Sequence, residues 1–128
     1  MRALWLVFPL LLLVGCAPRS GGPETPVITL RNDSPVTLRH IVVRFPGKTV
    51  RYGDLRPGES SAAQPVPQAY RYAWMEAESR GGKSAYLPFD YVGEAPLQPG
   101  FYIYVLTTPE TPARSRPVLP LEITLERH

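Results

Sequence analysis

A chain of 128 residues with 14 basic and 11 acidic side chains has a formal charge of +3, an excess too small and too scattered to argue for a nucleic-acid partner. It contains one cysteine, two histidines and sixteen prolines, so no intramolecular disulfide can form and packing alone must stabilise the fold. A length of this order accommodates one domain with a single modest core.

The chain starts with a short basic stretch, Met1-Arg2, followed by the apolar run ALWLVFPLLLLV at 3–14 and then Gly15-Cys16. A charged start, an apolar stretch and a small residue at its end describe a secretory signal peptide. The run falls short of the roughly 20 apolar residues that a membrane-spanning helix needs. The expectation is therefore a removed signal, not a retained membrane helix.

Leu13-Val14-Gly15-Cys16 resembles the lipobox of bacterial lipoproteins: a branched apolar residue three before an obligatory cysteine, and a small residue directly before it. The resemblance covers residues 1–16 and implies cleavage between Gly15 and Cys16. It also implies a thioether-linked diacylglycerol on Cys16, often with a third acyl chain on the new amino terminus. An incidental thiol is the alternative, but the sole cysteine of an exported chain needs a reason, and acylation supplies one. At about 0.8 kcal/mol per buried methylene, one acyl chain binds marginally, whereas two or three hold firmly. In lipoproteins of diderm bacteria an aspartate after the lipidated cysteine often retains the protein in the inner membrane. The residue here is Ala17, so the resemblance implies outer-membrane delivery in such a host.

Loss of the first 15 residues leaves 113, with 13 basic and 11 acidic side chains and a net charge of +2. Residues 17–26 (APRSGGPETP) have no hydrophobic side chain larger than alanine or proline, so they cannot build a core and read as a tether. Fully extended, these ten residues reach roughly 33 Å, enough to clear lipid headgroups. The expected organisation is a signal peptide over 1–15, a lipidated cysteine and flexible tether over 16–26, and a folded domain over 27–128.

From Val27 onward, short apolar or aromatic runs are cut by Gly, Pro, Asn and Asp, and no segment sustains a helical apolar period. Residues 27–31 predict a first strand with Ile28 and Leu30 on one face, followed by the turn Asn32-Asp33-Ser34-Pro35. Residues 36–45 and 49–52 predict two more, separated by Pro46-Gly47. Residues 70–78 alternate, with Tyr70, Tyr72 and Trp74 on one face and Arg71, Ala73, Met75 and Ala77 on the other. Ser79-Arg80-Gly81-Gly82 turns this strand into a hairpin with 83–88. Residues 101–107 are almost wholly apolar or aromatic and read as a central strand. In the closing run 119–127, Leu119, Leu121, Ile123 and Leu125 alternate with Pro120, Glu122, Thr124 and Glu126. This predicts one strand with its leucine–isoleucine face on the core.

Leu55-Arg56-Pro57-Gly58 and Leu97-Gln98-Pro99-Gly100 share the form Leu-x-Pro-Gly, which suits a type II turn with proline at its second and glycine at its third position. The motif followed by an aromatic strand resembles a loop-to-strand corner of fibronectin-like and transthyretin-like sandwiches. Ile28-x-Leu30-x-Asn32-x-Ser34, with a later Leu-Arg-Pro-Gly-Glu turn, also resembles small bacterial lipoproteins of unassigned function. Seven short strands with turns between them predict an all-β fold, a single antiparallel β-sandwich of immunoglobulin-like type.

The residue types that carry chemistry are sparse. His40 lies mid-strand and His128 ends the chain. With Cys16 taken by lipid, no spacing fits a metal site, and no Gly-x-Ser-x-Gly elbow accompanies His40. Glu76 and Glu78 share a strand face without any sign of a groove between paired carboxylates. No glycine-rich loop opens a helix, so no phosphate cradle is expected. The aromatic rows Tyr70, Tyr72, Trp74 and Tyr102, Tyr104 have two readings: core and cross-strand packing, or a face that stacks on sugars or peptides. A binding patch would centre on Tyr70, Tyr72 and Trp74, with Arg71 and Arg80 nearby. The expected function is a membrane-anchored, non-catalytic envelope module that contacts an envelope protein, without metal, cofactor or nucleic acid. A small-ligand or glycan-binding domain that uses the aromatic face is the alternative. An envelope enzyme comes third, and it requires His40 in a cleft beside a serine and a carboxylate.

Overall fold

The computed structural model describes residues 22–80, 82–88, 90–108 and 118–128, with the backbone alone for 118–120. Strands occupy β1 (Pro26–Asn32), β2 (Leu38–Phe45), β3 (Lys48–Leu55), β4 (Gln64–Pro65) and β5 (Trp74–Ser79). They continue with β6 (Gly82–Tyr86), β7 (Gly100–Thr107), β8 (Val118–Pro120) and β9 (Glu122–Arg127). No helix occurs among the described residues. Two sheets result, one in the order β4-β1-β7-β9 and the other β3-β2-β5-β6-β8. Most neighbours are antiparallel, but β1 runs parallel to β7 and β6 parallel to β8.

The all-β sandwich agrees with the sequence, while its details depart from it. Among the described residues nine strands replace seven, and two pairs are parallel where all were expected to be antiparallel. β1 begins at Pro26, one residue inside the expected tether. The run 70–78 does not form one strand: pairing with β2 begins at Trp74 opposite Arg44, and Tyr70 and Tyr72 precede it. The closing run is split in two. Its first part pairs with β6, its second with β7, and the chain crosses between the layers at Leu121, whose amide still donates to the Ala85 carbonyl at 3.0 Å. Pro120 has no amide proton to extend a ladder, which suits the end of β8.

Alternation decides which side chains enter the core. Ile28 and Leu30 of β1, with Tyr102, Tyr104 and Leu106 of β7, meet Leu38, Ile41, Val43 and Phe45 of β2 and Met75 and Ala77 of β5. The Phe45 and Tyr104 rings lie 6.1 Å apart across the layers, and the Tyr52 hydroxyl donates to the Ile28 carbonyl at 3.0 Å. Burial pushes the hydroxyl pKa of Tyr52 and Tyr104 up. The expected central position of β7 holds, since β1 and β9 flank it. In the closing run Leu121 is buried and Ile123 and Leu125 are half-buried against the core, while Glu122, Thr124 and Glu126 face solvent. The Leu119 side chain lies outside the described residues.

The two Leu-x-Pro-Gly segments diverge. At the first, Glu59 N donates to Arg56 O at 2.9 Å and Gly58 has φ +83°, the geometry of a type II turn, with Leu55 buried above it. At the second, Gly100 has φ +157° and the Gln98 carbonyl accepts the Tyr102 hydroxyl at 2.7 Å. The same four-residue pattern therefore serves as a closed turn once and as an entry to a strand once.

The sandwich has two ends. At the entry end residues 22–25 lead into β1, and Pro26 pairs with Gly100 where β7 begins. The Pro46-Gly47 turn lies there too, because Lys48 Nζ donates to Pro65 O at 3.0 Å. The connections 66–73 and 87–99 meet at the same end through Leu97 N and Ala69 O at 2.8 Å. The far end gathers the loop after β1, the turn after β3 and the β5–β6 hairpin.

Candidate functional site

At the entry end four tyrosines form a connected cluster. Tyr70 and Tyr72 come from the segment before β5, Tyr86 ends β6, and Tyr91 lies in the connection to β7. The Tyr91 ring stacks with Tyr70 at 4.4 Å between centroids and with Tyr72 at 5.6 Å, and Tyr72 meets Tyr86 at 5.8 Å. All four are half-buried. Gln68 donates to the Tyr70 hydroxyl at 3.1 Å, Tyr104 donates its hydroxyl to the Tyr70 carbonyl, and the Tyr72 hydroxyl donates to Asp90 O at 3.3 Å. Burial raises the pKa of Tyr72 and Tyr91.

The turn at 91–94 is held by Glu94 N to Tyr91 O at 2.9 Å and by Val92 N to Asp90 Oδ1 at 3.0 Å. Arg71 bonds Glu94 at 2.8 Å, which raises the arginine pKa. The rings thus spend their faces on one another and pin 87–99 onto 66–73, a use that is structural before it is anything else.

The patch expected from sequence does not come together as a row. Trp74 lies on the outer face of its sheet beneath the Arg44 guanidinium, 4.1 Å from the ring centroid, a cation–π contact. The inner face of β5 belongs to Met75 and Ala77, with Ala73 buried just before it. Arg71 stays with the tyrosines. Arg80 is in the hairpin at the other end of β5, about 20 Å away at the rise of a strand. Tyr102 and Tyr104 are buried, so that row is core. Gly15 and Cys16 lie outside the described residues.

Sequence reasoning missed two features of the far end. The first is Asn32, fully buried. Its Nδ2 donates to Val36 O at 2.8 Å and Leu55 O at 2.9 Å, while Oδ1 accepts from Ser34 N at 3.0 Å and Ser34 Oγ at 2.6 Å. Its backbone also bonds Glu59 and Gly58. One side chain therefore ties the loop after β1 to the turn after β3, and the Asn-Asp-Ser-Pro composition was its only signal. The second is a cleft of about 400 Å³ lined by Pro35, Thr37, Arg39, Pro57, Glu78 and Arg80 among others. Neither arginine is ion-paired among the described residues.

His40 occupies a bulge in β2 with φ +53°, exposed, its amide donating to Asp54 Oδ1 at 2.9 Å. Its ring is 3.9 Å from Glu78. Ser84 points to the opposite, inner face of the same sheet, where its Oγ has no hydrogen-bond partner among the described residues. Histidine and serine are thus separated by the sheet. Glu76 and Glu78 are both exposed. No cluster of three or more His, Cys, Asp or Glu side chains is placed to hold a metal among the described residues.

No protein-family model matches the chain, and no curated protein matches it. Among solved structures it is similar to an NMR structure of a protein from Eubacterium rectale, with a TM-score of 0.53 and 16% identity. The match covers 78% of this chain and 88% of that one. At such identity the likeness shows the fold alone.

Proposed function

We propose that this chain is a bacterial lipoprotein, acylated on Cys16, whose immunoglobulin-like sandwich is a non-catalytic module that contacts other proteins of the envelope. The observation that carries the reading is Leu13-Val14-Gly15-Cys16 followed by a core-less segment that leads into β1. The immunoglobulin-like type is supported by the domain's size, its two facing sheets and the repeated passage of the chain between them. Protein contact is supported by the far end, where the proline-flanked cleft displays Arg39, Arg80 and Glu78, groups suited to charged side chains of a partner. A glycan-binding reading has less support, because the faces of Tyr70, Tyr72 and Tyr91 are turned on one another.

Metabolic labelling with a radiolabelled fatty acid tests the anchor. The wild-type chain should incorporate label and Cys16→Ser should not, and equal labelling of both would overturn the lipoprotein reading. A photo-crosslinking amino acid at position 80 tests the contact. A discrete protein adduct in intact envelopes is expected, and its absence would contradict the protein-contact reading.

A further inference from the structure

The entry end holds every large hydrophobic side chain that is strongly exposed among the described residues. Val92 is 85% exposed, Leu87 59% and Phe101 47%. Leu87 and Phe101 flank the connection between β6 and β7, and Val92 is at its turn. Solvated apolar side chains are ordinary when scattered. Here all three lie toward the end where the chain enters the domain, Leu87 and Phe101 on the outer sides of different sheets, and the far end has none among the described residues.

At the same end stand the four stacked tyrosines and the Arg44–Trp74 pair. Lys48 is at the same end, and neither Arg44 nor Lys48 has a carboxylate partner among the described residues. Half-buried tyrosine and tryptophan beside basic groups, with exposed apolar side chains at the same end, is the composition of a membrane–water boundary.

The chain outside the described residues argues for the same occupant. Five residues, 17–21, separate Cys16 from Gly22, the first described residue, and the ten at 17–26 extend at most about 33 Å. An acylated Cys16 therefore keeps the entry end near the bilayer. Tethering converts a contact too weak to bind from solution into an intramolecular one at high effective concentration.

We infer that the entry end docks on the lipid bilayer surface, with Val92 at the acyl–headgroup boundary and Leu87 and Phe101 to either side of it. Arg44 and Lys48 face the phosphates. This inference rests on the anchor reading. It fixes the orientation of the domain: the cleft at Arg39 and Arg80 points away from the membrane, toward partners.

Full-length chain processed in a bacterial host and reconstituted into vesicles of phosphatidylethanolamine and phosphatidylglycerol tests this directly. Val92→Cys and, at the far end, Arg56→Cys each take a fluorophore, and Cys16, once acylated, adds no free thiol. Nitroxide-labelled lipids should quench the label at 92 severalfold more than the label at 56. Equal quenching, or stronger quenching at 56, in protein that floats with the vesicles would overturn the docking while leaving the anchor intact. Energy transfer between labels at 92 without lipid quenching would assign this end to a second copy. Failure of the wild-type chain to float would overturn the anchor reading, and the docking with it.

Discussion

The two ends of the sandwich are held by opposite chemistry. The far end depends on neutral polar bonds: the fully buried Asn32 side chain donates to two carbonyls and accepts from Ser34. The entry end depends on aromatic faces, with Tyr91 stacked between its partners' segments and apolar tips left in solvent. A buried amide network is all-or-none, since losing one member strands the rest. Stacked rings lose stability in increments. The far end should therefore break sharply and the entry end loosen gradually, and that difference is open to attack.

The largest effect is expected from Asn32→Ala, which removes the side-chain donor to the Leu55 carbonyl, one of the two donors to the Val36 carbonyl and the acceptor of the buried Ser34 amide. It should cost about 3 kcal/mol in denaturant melts. Tyr91→Ala removes two stacks and frees the connection 87–99, for about 2 kcal/mol. Hydrogen exchange should then rise there while the far end keeps its protection. Tyr104→Phe keeps the ring against Phe45 but orphans the Tyr70 carbonyl, and should cost about 1 kcal/mol. Glu94→Ala breaks an ion pair whose arginine side chain is 65% exposed, so it should shift stability by less than about 1 kcal/mol.

The ends should also part with pH. Arg31 hydrogen-bonds Asp33 and holds its carboxyl below the usual range. That stabilisation is present above the unfolded value of about 3.9 and lost as pH falls through the lowered folded value. Tyr72 and Tyr91 are raised by burial. Below about pH 10 they are neutral in both states. Above it the unfolded chain ionises first, so stability falls as pH rises through the folded values. Exchange measured across pH should show the far end responding to acid and the entry end to alkali.

The sequence made the strands legible and left their partners unread. In the run YRYAWMEAES a period of two offers either face. The small set Ala73, Met75 and Ala77 turned inward because Phe45 and Tyr104 already fill the layer between the sheets. Leu121, Ile123 and Leu125 kept their phase across the switch of sheets, because a residue facing the core does so from either layer. The crossing itself leaves no trace in the alternation. Parallel pairing of β1 with β7 is equally silent, since hydrophobic pattern has no direction. Tyr91 was invisible as a site residue because its partners are about 20 positions earlier in the chain. The type II turn at Arg56–Glu59 was legible in full because proline and glycine specify it locally.

The most direct test of the lipid anchor is the intact mass of the chain recovered from membranes of a host that processes lipoproteins. An anchored protein gives a polypeptide of residues 16–128 carrying a diacylglyceryl group on Cys16, with or without a third acyl chain. An unmodified polypeptide, whether it begins at Met1 or at any later residue, would contradict it.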